Sequence, residues 1–194
     1  MEKAKVFVQK RARLRQLLLK YSYKEGIFTL TSGKKTDFYI DVKETALMAE
    51  GAFLIGQCFY DLISKQELLP VQAVAGITLG ADPLITATSM AGYLNGHELP
   101  GIIIRKEAKD HGTGNQLEIA GNVPKGAVIA LLDDVVTAAG TLLQIGVKAL
   151  EKEGFTVAQI LSVVDRQENG AAEWIQAAGY KYQPIFTREE LLAE

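Results

Sequence analysis

Apolar residues recur along this chain in two rhythms that alternate from one end to the other. Between Val6 and Tyr21, the residues Leu14, Leu17, Leu18 and Tyr21 fall at helical spacing among Lys and Arg, which predicts a surface helix. From Phe28 to Asp41 the apolar positions alternate around Ser32–Gly33, which predicts two short strands and a turn. Glu44–Ser64 carries a stripe through Leu47, Ile55, Phe59 and Leu62, which predicts one long helix, with Cys58 packed beside the stripe. Beyond it, Gln72–Ile77, Gly101–Ile104, Ala127–Leu132 and Ile160–Val164 read as strands. Pro83–Leu94, Leu142–Glu153 and Ala171–Ala178 read as helices between and after them. Asp82 suits an N-cap with Pro83 at the first helical position, and Gly96, Gly154 and Gly179 stand where helices stop. Tyr182–Phe186 predicts a last strand, and Thr187 with Glu190 a capping box opening a short helix. Strands apolar throughout, alternating with helices, imply an α/β fold: a parallel sheet covered on both faces. Ligands of such sheets bind beyond the carboxyl ends of the strands.

The richest chemistry follows Ala127–Leu132. That strand is read as ending on Asp133 and Asp134, followed by a loop of small residues, Val135, Val136, Thr137, Ala138, Ala139, Gly140 and Thr141, and then a helix. A helix amino end offers unpaired N–H groups and a positive dipole end, which suit a phosphate. Two adjacent carboxylates repel such an anion and suit sugar hydroxyls or a divalent cation. The stretch therefore describes a phosphate on one side and a vicinal diol on the other, a ribose 5-phosphate. An ordinary strand–turn–helix corner with an acidic N-cap is the alternative.

In a parallel sheet the other strand ends converge on the same place. Gly76–Pro83 carries two glycines that allow close backbone approach to a ligand, a turn that is also common without one. The Arg105–Gln116 loop has Ala108 as its single apolar residue and carries Arg105, Lys106, Lys109 and His111, so it suits a lid over an anion site. A solvated hairpin is its plainer reading. His97, at a helix end, is taken as incidental. Arg166, at the end of Ile160–Val164, offers a fork for a carboxylate or a planar imide edge, with Asp165 expected to orient it.

Composition narrows the class. The 194 residues suit one domain that buries about 70% of its unfolded surface. No apolar run approaches the ~20 residues that span a bilayer, so no membrane role is expected. The charged, amphipathic Met1–Tyr21 lacks the pattern of a signal peptide. A lone cysteine fits a reducing cytoplasm, and a net charge of −2 argues against a nucleic-acid partner. No Gly-x-Gly-x-x-Gly follows a strand and no Gly-Lys-Ser/Thr loop occurs, which sets aside a dinucleotide-binding dehydrogenase and a P-loop enzyme.

The acid-and-threonine stretch resembles the fingerprint of the type I phosphoribosyltransferases, which bind phosphoribosyl pyrophosphate (PRPP). Four segments in the right order, over roughly residues 20 to 170, resemble the orotate phosphoribosyltransferases within that family. They are Phe28–Asp41 with its Ser32–Gly33–Lys34, Arg105–Gly112, Asp133–Ala138, and Asp165–Glu168. The resemblance implies a type I phosphoribosyltransferase fold, with a hood from about 1–42 plus the C-terminal segment over a core from about 43–170. It implies transfer of ribose 5-phosphate from PRPP to orotate, with Mg²⁺, in a cytoplasmic homodimer whose lid acts on the partner's site. Asp133 to Thr141 would hold the ribose and 5-phosphate, and Arg105, Lys106, Lys109 and His111 the pyrophosphate. Thr137, Arg166, Phe38 and Tyr39 would receive orotate. Lys109, Asp133 and Asp134 would be catalytic, with Mg²⁺ carried by PRPP beside the two acids. Three departures stand out: Ala139 where many members have Gly, and Thr31 and Gly80 where many bacterial members have Lys. If position 139 needs a positive φ, Ala there costs about 1 kcal/mol. Lys34 or Lys35 is the expected partial stand-in for the two missing cations. A transferase for another base, or a non-catalytic PRPP-sensing regulator, are the competing readings; the intact lid and acidic charge speak against the regulator.

Overall fold

A computed structural model of the chain describes residues 2–29, 35–65, 69–107 and 116–193. The predicted Ser32–Gly33 turn, Thr31, Lys34, Lys109 and His111 lie outside them. Helix α1 (Glu2–Leu17) runs into a wide π turn at Leu18–Ser22. Leu14, Leu17 and Leu18 reach the core as predicted, but Tyr21 is 37% exposed and Ser22 is buried instead. A π turn takes one more residue than an α turn, so the buried face slips along the chain. The buried Ser22 hydroxyl is satisfied by Thr45 Oγ1 at 2.7 Å.

Strands β1 (Tyr23–Thr29) and β2 (Lys35–Ile40) form a separate antiparallel ribbon. The predicted long helix is two, α2 (Lys43–Ala46) and α3 (Ala49–Ile63), broken by Met48 in extended conformation. The bend lays the Gly51 backbone against the Thr45 carbonyl, an approach that a side chain on Gly51 would block. It also turns Leu47, expected on the buried stripe, out to 75% exposure.

The remaining elements are β3 (Ala73–Ile77), α4 (Asp82–Leu94), β4 (Gly101–Ile104), β5 (Leu117–Ile119) and β6 (Val128–Val136). A continuous helical segment follows, α5 (Ala139–Thr141), a π turn at Leu142–Val147, and α6 (Lys148–Lys152). Then come β7 (Thr156–Asp165), α7 (Ala171–Ala177), β8 (Lys181–Thr187) and α8 (Arg188–Leu192). The six-stranded sheet has the order β5-β4-β3-β6-β7-β8, parallel except for the β4–β5 pair. The fold is thus the mostly parallel α/β architecture predicted. The three-residue antiparallel β5, too short to show a rhythm, is the addition.

Side-chain alternation along each strand feeds two cores. Val74, Ala130, Leu132, Leu161 and Val163 face the α1, α3 and α4 side, together with Leu14, Phe59 and Leu84. Ala75, Ile129, Leu131 and Ile160 face the α5–α7 side, with Leu142, Leu150 and Ile175. The helix stops fall where the glycines predicted them, Gly154 at φ +84° and Gly179 at φ +92°. Thr187 and Glu190 make the predicted capping box in both directions, each at about 3 Å (3.1 and 3.0 Å). Asp82 begins α4 one residue earlier than expected, with Ala81 at the N-cap.

Candidate active site

The strands of the sheet bring four carboxyl ends side by side in the order β4, β3, β6, β7. Chain order runs from β3 outward to β4 on one side, then resumes at β6 on the other. The switch point therefore falls between β3 and β6, where open sheets of this kind hold ligands.

Strand β6 does not stop at the acids, as predicted. It continues through Asp133 and Asp134 to Val136, because β7 is long enough to pair with it: Asp133 lies opposite Ser162 and Val136 opposite Asp165. Val136 enters one apolar core and Val135 packs against the other, so these two residues can offer a ligand little besides backbone. The true loop shrinks to Thr137 and Ala138. Ala139 has helical conformation in α5 and is buried, so it carries none of the positive-φ strain considered above. Gly140, whose missing side chain would meet open space, and Thr141 are exposed at the helix start.

The paired acids are electrostatically loaded. Burial, and then the adjacent Asp134 charge, push the Asp133 carboxyl well above the usual carboxylate range, against the opposing pull of Lys106. Asp134 accepts the Val135 amide at 3.0 Å and lies 4.0 Å from the Lys43 ammonium. From the β3 side, the backbone at Gly80 closes on the Asp134 carboxylate: a Cβ there would stand 2.6 Å from Asp134 Cγ. In the same turn Thr78 donates to Asp82 Oδ2 at 2.9 Å, while Asp82 Oδ1 is enclosed with no hydrogen-bond partner among the described residues.

At the β4 end, the antiparallel pairing of β4 with β5 brings Arg105 and Gln116 together. The Arg105 amide donates to the Gln116 carbonyl at 2.9 Å, and the Gln116 amide group returns a bond to the Arg105 carbonyl at 3.0 Å. The Arg105 guanidinium is held by Glu118 at 2.8 and 2.9 Å, while Lys106 is exposed beyond it. Lys109 and His111 belong to the part of this segment outside the described residues.

Arg166, at the β7 end, is 4% exposed. Glu168 and Thr36 take its guanidinium, at 2.8 and 3.1 Å, and it stacks 4.2 Å over the Phe38 ring. The expected orienting partner, Asp165, instead accepts the Gln167 amide at 2.8 Å. That bond suits the turn, since Gln167 and Asn169 both adopt left-handed backbone, at φ +56° and +55°. Asn169 in turn donates to the Thr137 carbonyl at 3.1 Å, tying this turn to the end of β6. Phe38 is buried beneath Arg166 and Arg188, whereas Tyr39, its neighbour in β2, faces the other way and is 38% exposed. Adjacent strand residues point to opposite faces, so the two rings cannot line one wall together.

Sequence reasoning missed Thr36, Arg188 and Lys43, which reach the site from the ribbon, the last helix and α2. None stands in a strand-end loop, the signal used to find the others. His97 proves structural, bonded to the Val71 carbonyl at 3.1 Å and set edge-on to Tyr60. Cys58 is buried, and burial pushes its thiol up to about 12, as packing without chemistry requires.

The described residues thus set an acid pair and a helix start at the switch point, with a buried guanidinium one strand away. No family model matches the chain. Over 181 residues it is 41% identical to an orotate phosphoribosyltransferase of Nostoc sp., covering 93% of this chain and 84% of that one. A crystal structure of Mycobacterium tuberculosis orotate phosphoribosyltransferase superposes with a TM-score of 0.80 at 32% identity, covering 94% of this chain and 99% of that one. A second structure of that enzyme, in complex with PRPP, superposes with a TM-score of 0.75 at 27% identity, covering 94% and 98%. The chain belongs to the orotate phosphoribosyltransferase family.

Proposed function

We propose that the protein transfers the ribose 5-phosphate group of PRPP to orotate, giving orotidine 5′-monophosphate and pyrophosphate, a step in making pyrimidine nucleotides. Family membership supports the reading, as does the similarity to a relative described in complex with PRPP. The observation that carries it is the register of β6 on β7, which sets the acid pair near the end of β6 and Arg166 just past the end of the adjacent parallel strand. In this reading Thr137 to Thr141 receive the 5-phosphate and Asp133 and Asp134 the ribose hydroxyls. Arg166, released in part from Glu168, takes the orotate carboxylate or ring edge with Thr137 beside it. Phe38 backs that pocket by stacking under Arg166.

Breaking the C1–O bond to pyrophosphate builds positive charge on the ribose ring and negative charge on the leaving group. Arg105, Lys106, Lys109 and His111 would neutralise the latter, most effectively once water is excluded. Orotate is already an anion, so its ring nitrogen attacks C1 without a strong general base. Two hard carboxylates beside a phosphate site would suit a Mg²⁺ carried mainly by substrate phosphates. Bound there, Mg²⁺ supplies charge neutralisation on the leaving pyrophosphate.

We place the protein as a single hooded domain acting as a cytoplasmic homodimer. Leu47, Leu79 and Met90, all mostly exposed, line one apolar groove, and Met90 also lines a neighbouring groove with exposed Tyr93, which supports a second copy there. The buried, lone Cys58 fits a reducing compartment, and no helix among the described residues is long and apolar enough to cross a membrane.

Loss of orotate absorbance with PRPP and Mg²⁺, abolished by chelation, is the expected assay result; no change with orotate but turnover of another base would overturn the substrate. Lys109→Ala is expected to lower turnover about 10²–10³-fold, roughly 3 kcal/mol of transition-state stabilisation. Mixing inactive Lys109→Ala and Asp134→Asn subunits should restore activity in hybrid dimers if the lid serves the partner's site.

A further inference from the structure

We propose that Lys43 is a diphosphate-binding cation of this site, supplying from α2 the positive charge that Thr31 and Gly80 do not. The inference rests on the PRPP reading above. A lysine at position 80 would have to start where the backbone already lies on Asp134, since a Cβ there meets that carboxylate at 2.6 Å. Lys43 brings an ammonium to the same carboxylate from another element, 4.0 Å from Asp134 Oδ2. The side chain is set in place in advance. Asp41 Oδ1 accepts both the Lys43 amide, at 3.0 Å, and the ammonium, at 2.8 Å.

That hydrogen bond with Asp41 raises the Lys43 pKa, so the ammonium keeps its proton. An ammonium has three donors, and Asp41 takes one; the 4.0 Å approach to Asp134 is a charge contact that uses none. The Lys43 side chain is 38% exposed, and Leu79 and Asp82, which flank the Gly80 turn, border the same surface. A diphosphate against the Gly80 turn would therefore find free N–H donors already aimed by a carboxylate. Of the earlier candidates, Lys34 lies outside the described residues, and Lys35, exposed in β2, has no such carboxylate partner among them.

Calorimetric titration with inorganic pyrophosphate and Mg²⁺ tests this directly. Lys43→Gln should weaken pyrophosphate binding and raise the PRPP KM about tenfold, leave the orotate KM within about twofold, and Lys43→Arg should recover most of the loss. In the unaltered protein, pyrophosphate should protect Lys43 from acetylation, read by mass spectrometry, while exposed Lys125 stays unprotected. A merely structural role predicts a lower melting temperature with pyrophosphate affinity unchanged, and that result, or absent protection, overturns the proposal. A protein that binds pyrophosphate through Lys43 yet leaves orotate unconsumed would refute the transfer reaction alone.

Discussion

The ends of β6 and β7 are neighbours in one sheet, yet they handle charge in opposite ways. At the end of β7, Arg166 is buried with its compensation in hand: Glu168, Thr36 and the Phe38 ring satisfy it within the chain. Near the end of β6, half-buried Asp133 stands beside a second carboxylate, and desolvation and that neighbouring charge raise its pKa. A charge balanced internally holds structure together and must be partly surrendered to a ligand. A charge left unbalanced costs stability until a ligand relieves it. The first corner is built for rigidity and the second for binding.

The sharpest way to break this contrast is Asp134→Asn. Its turnover should fall about 10²–10³-fold, some 3–4 kcal/mol of transition-state stabilisation, with folding intact by circular dichroism. Next, Arg166→Leu should cost about 2–3 kcal/mol in urea unfolding by stranding Glu168, whereas Arg166→Leu with Glu168→Leu should regain most of that stability and none of the activity. An equal loss in single and double variants would show that Arg166 was not held by its pairing. Smaller again is the effect of Asp133→Asn, which should inactivate the enzyme and yet raise the melting temperature by a few degrees at pH 8. The sign follows from the raised pKa. The folded state holds its proton at pH values where the unfolded chain has lost it, so wild-type stability falls as pH rises from about 4 through the folded pKa. The gain in the variant should therefore fade toward pH 4. Smallest is a control far from both corners: Cys58, buried with its thiol pushed up to about 12, should resist thiol reagents until the protein unfolds.

What was legible in the sequence follows the same division. The helix stops at Gly154 and Gly179, the Thr187–Glu190 cap and the alternation that gives a mostly parallel sheet all rest on residues close together in the chain. Where long-range partners decide, the pattern misled. Strand β6 runs past its acids because β7 supplies a ladder, and Asp165 serves its own turn while Glu168 and Thr36 hold Arg166. Tyr21 and Leu47 were misplaced because a wide turn and a helix break shift the helical phase, and neither leaves a periodic trace. Lys43 went unnoticed for want of any neighbour along the chain that marks it as chemical.

The pairing of Val136 with Asp165 has one more consequence. If Asp133 and Asp134 grip the sugar and Arg166 the base, the offset between them is set by the β6–β7 register together with the interstrand spacing of about 4.8 Å. The sheet then works as a ruler, and altered side chains can change which base is accepted but not how far it sits from the sugar.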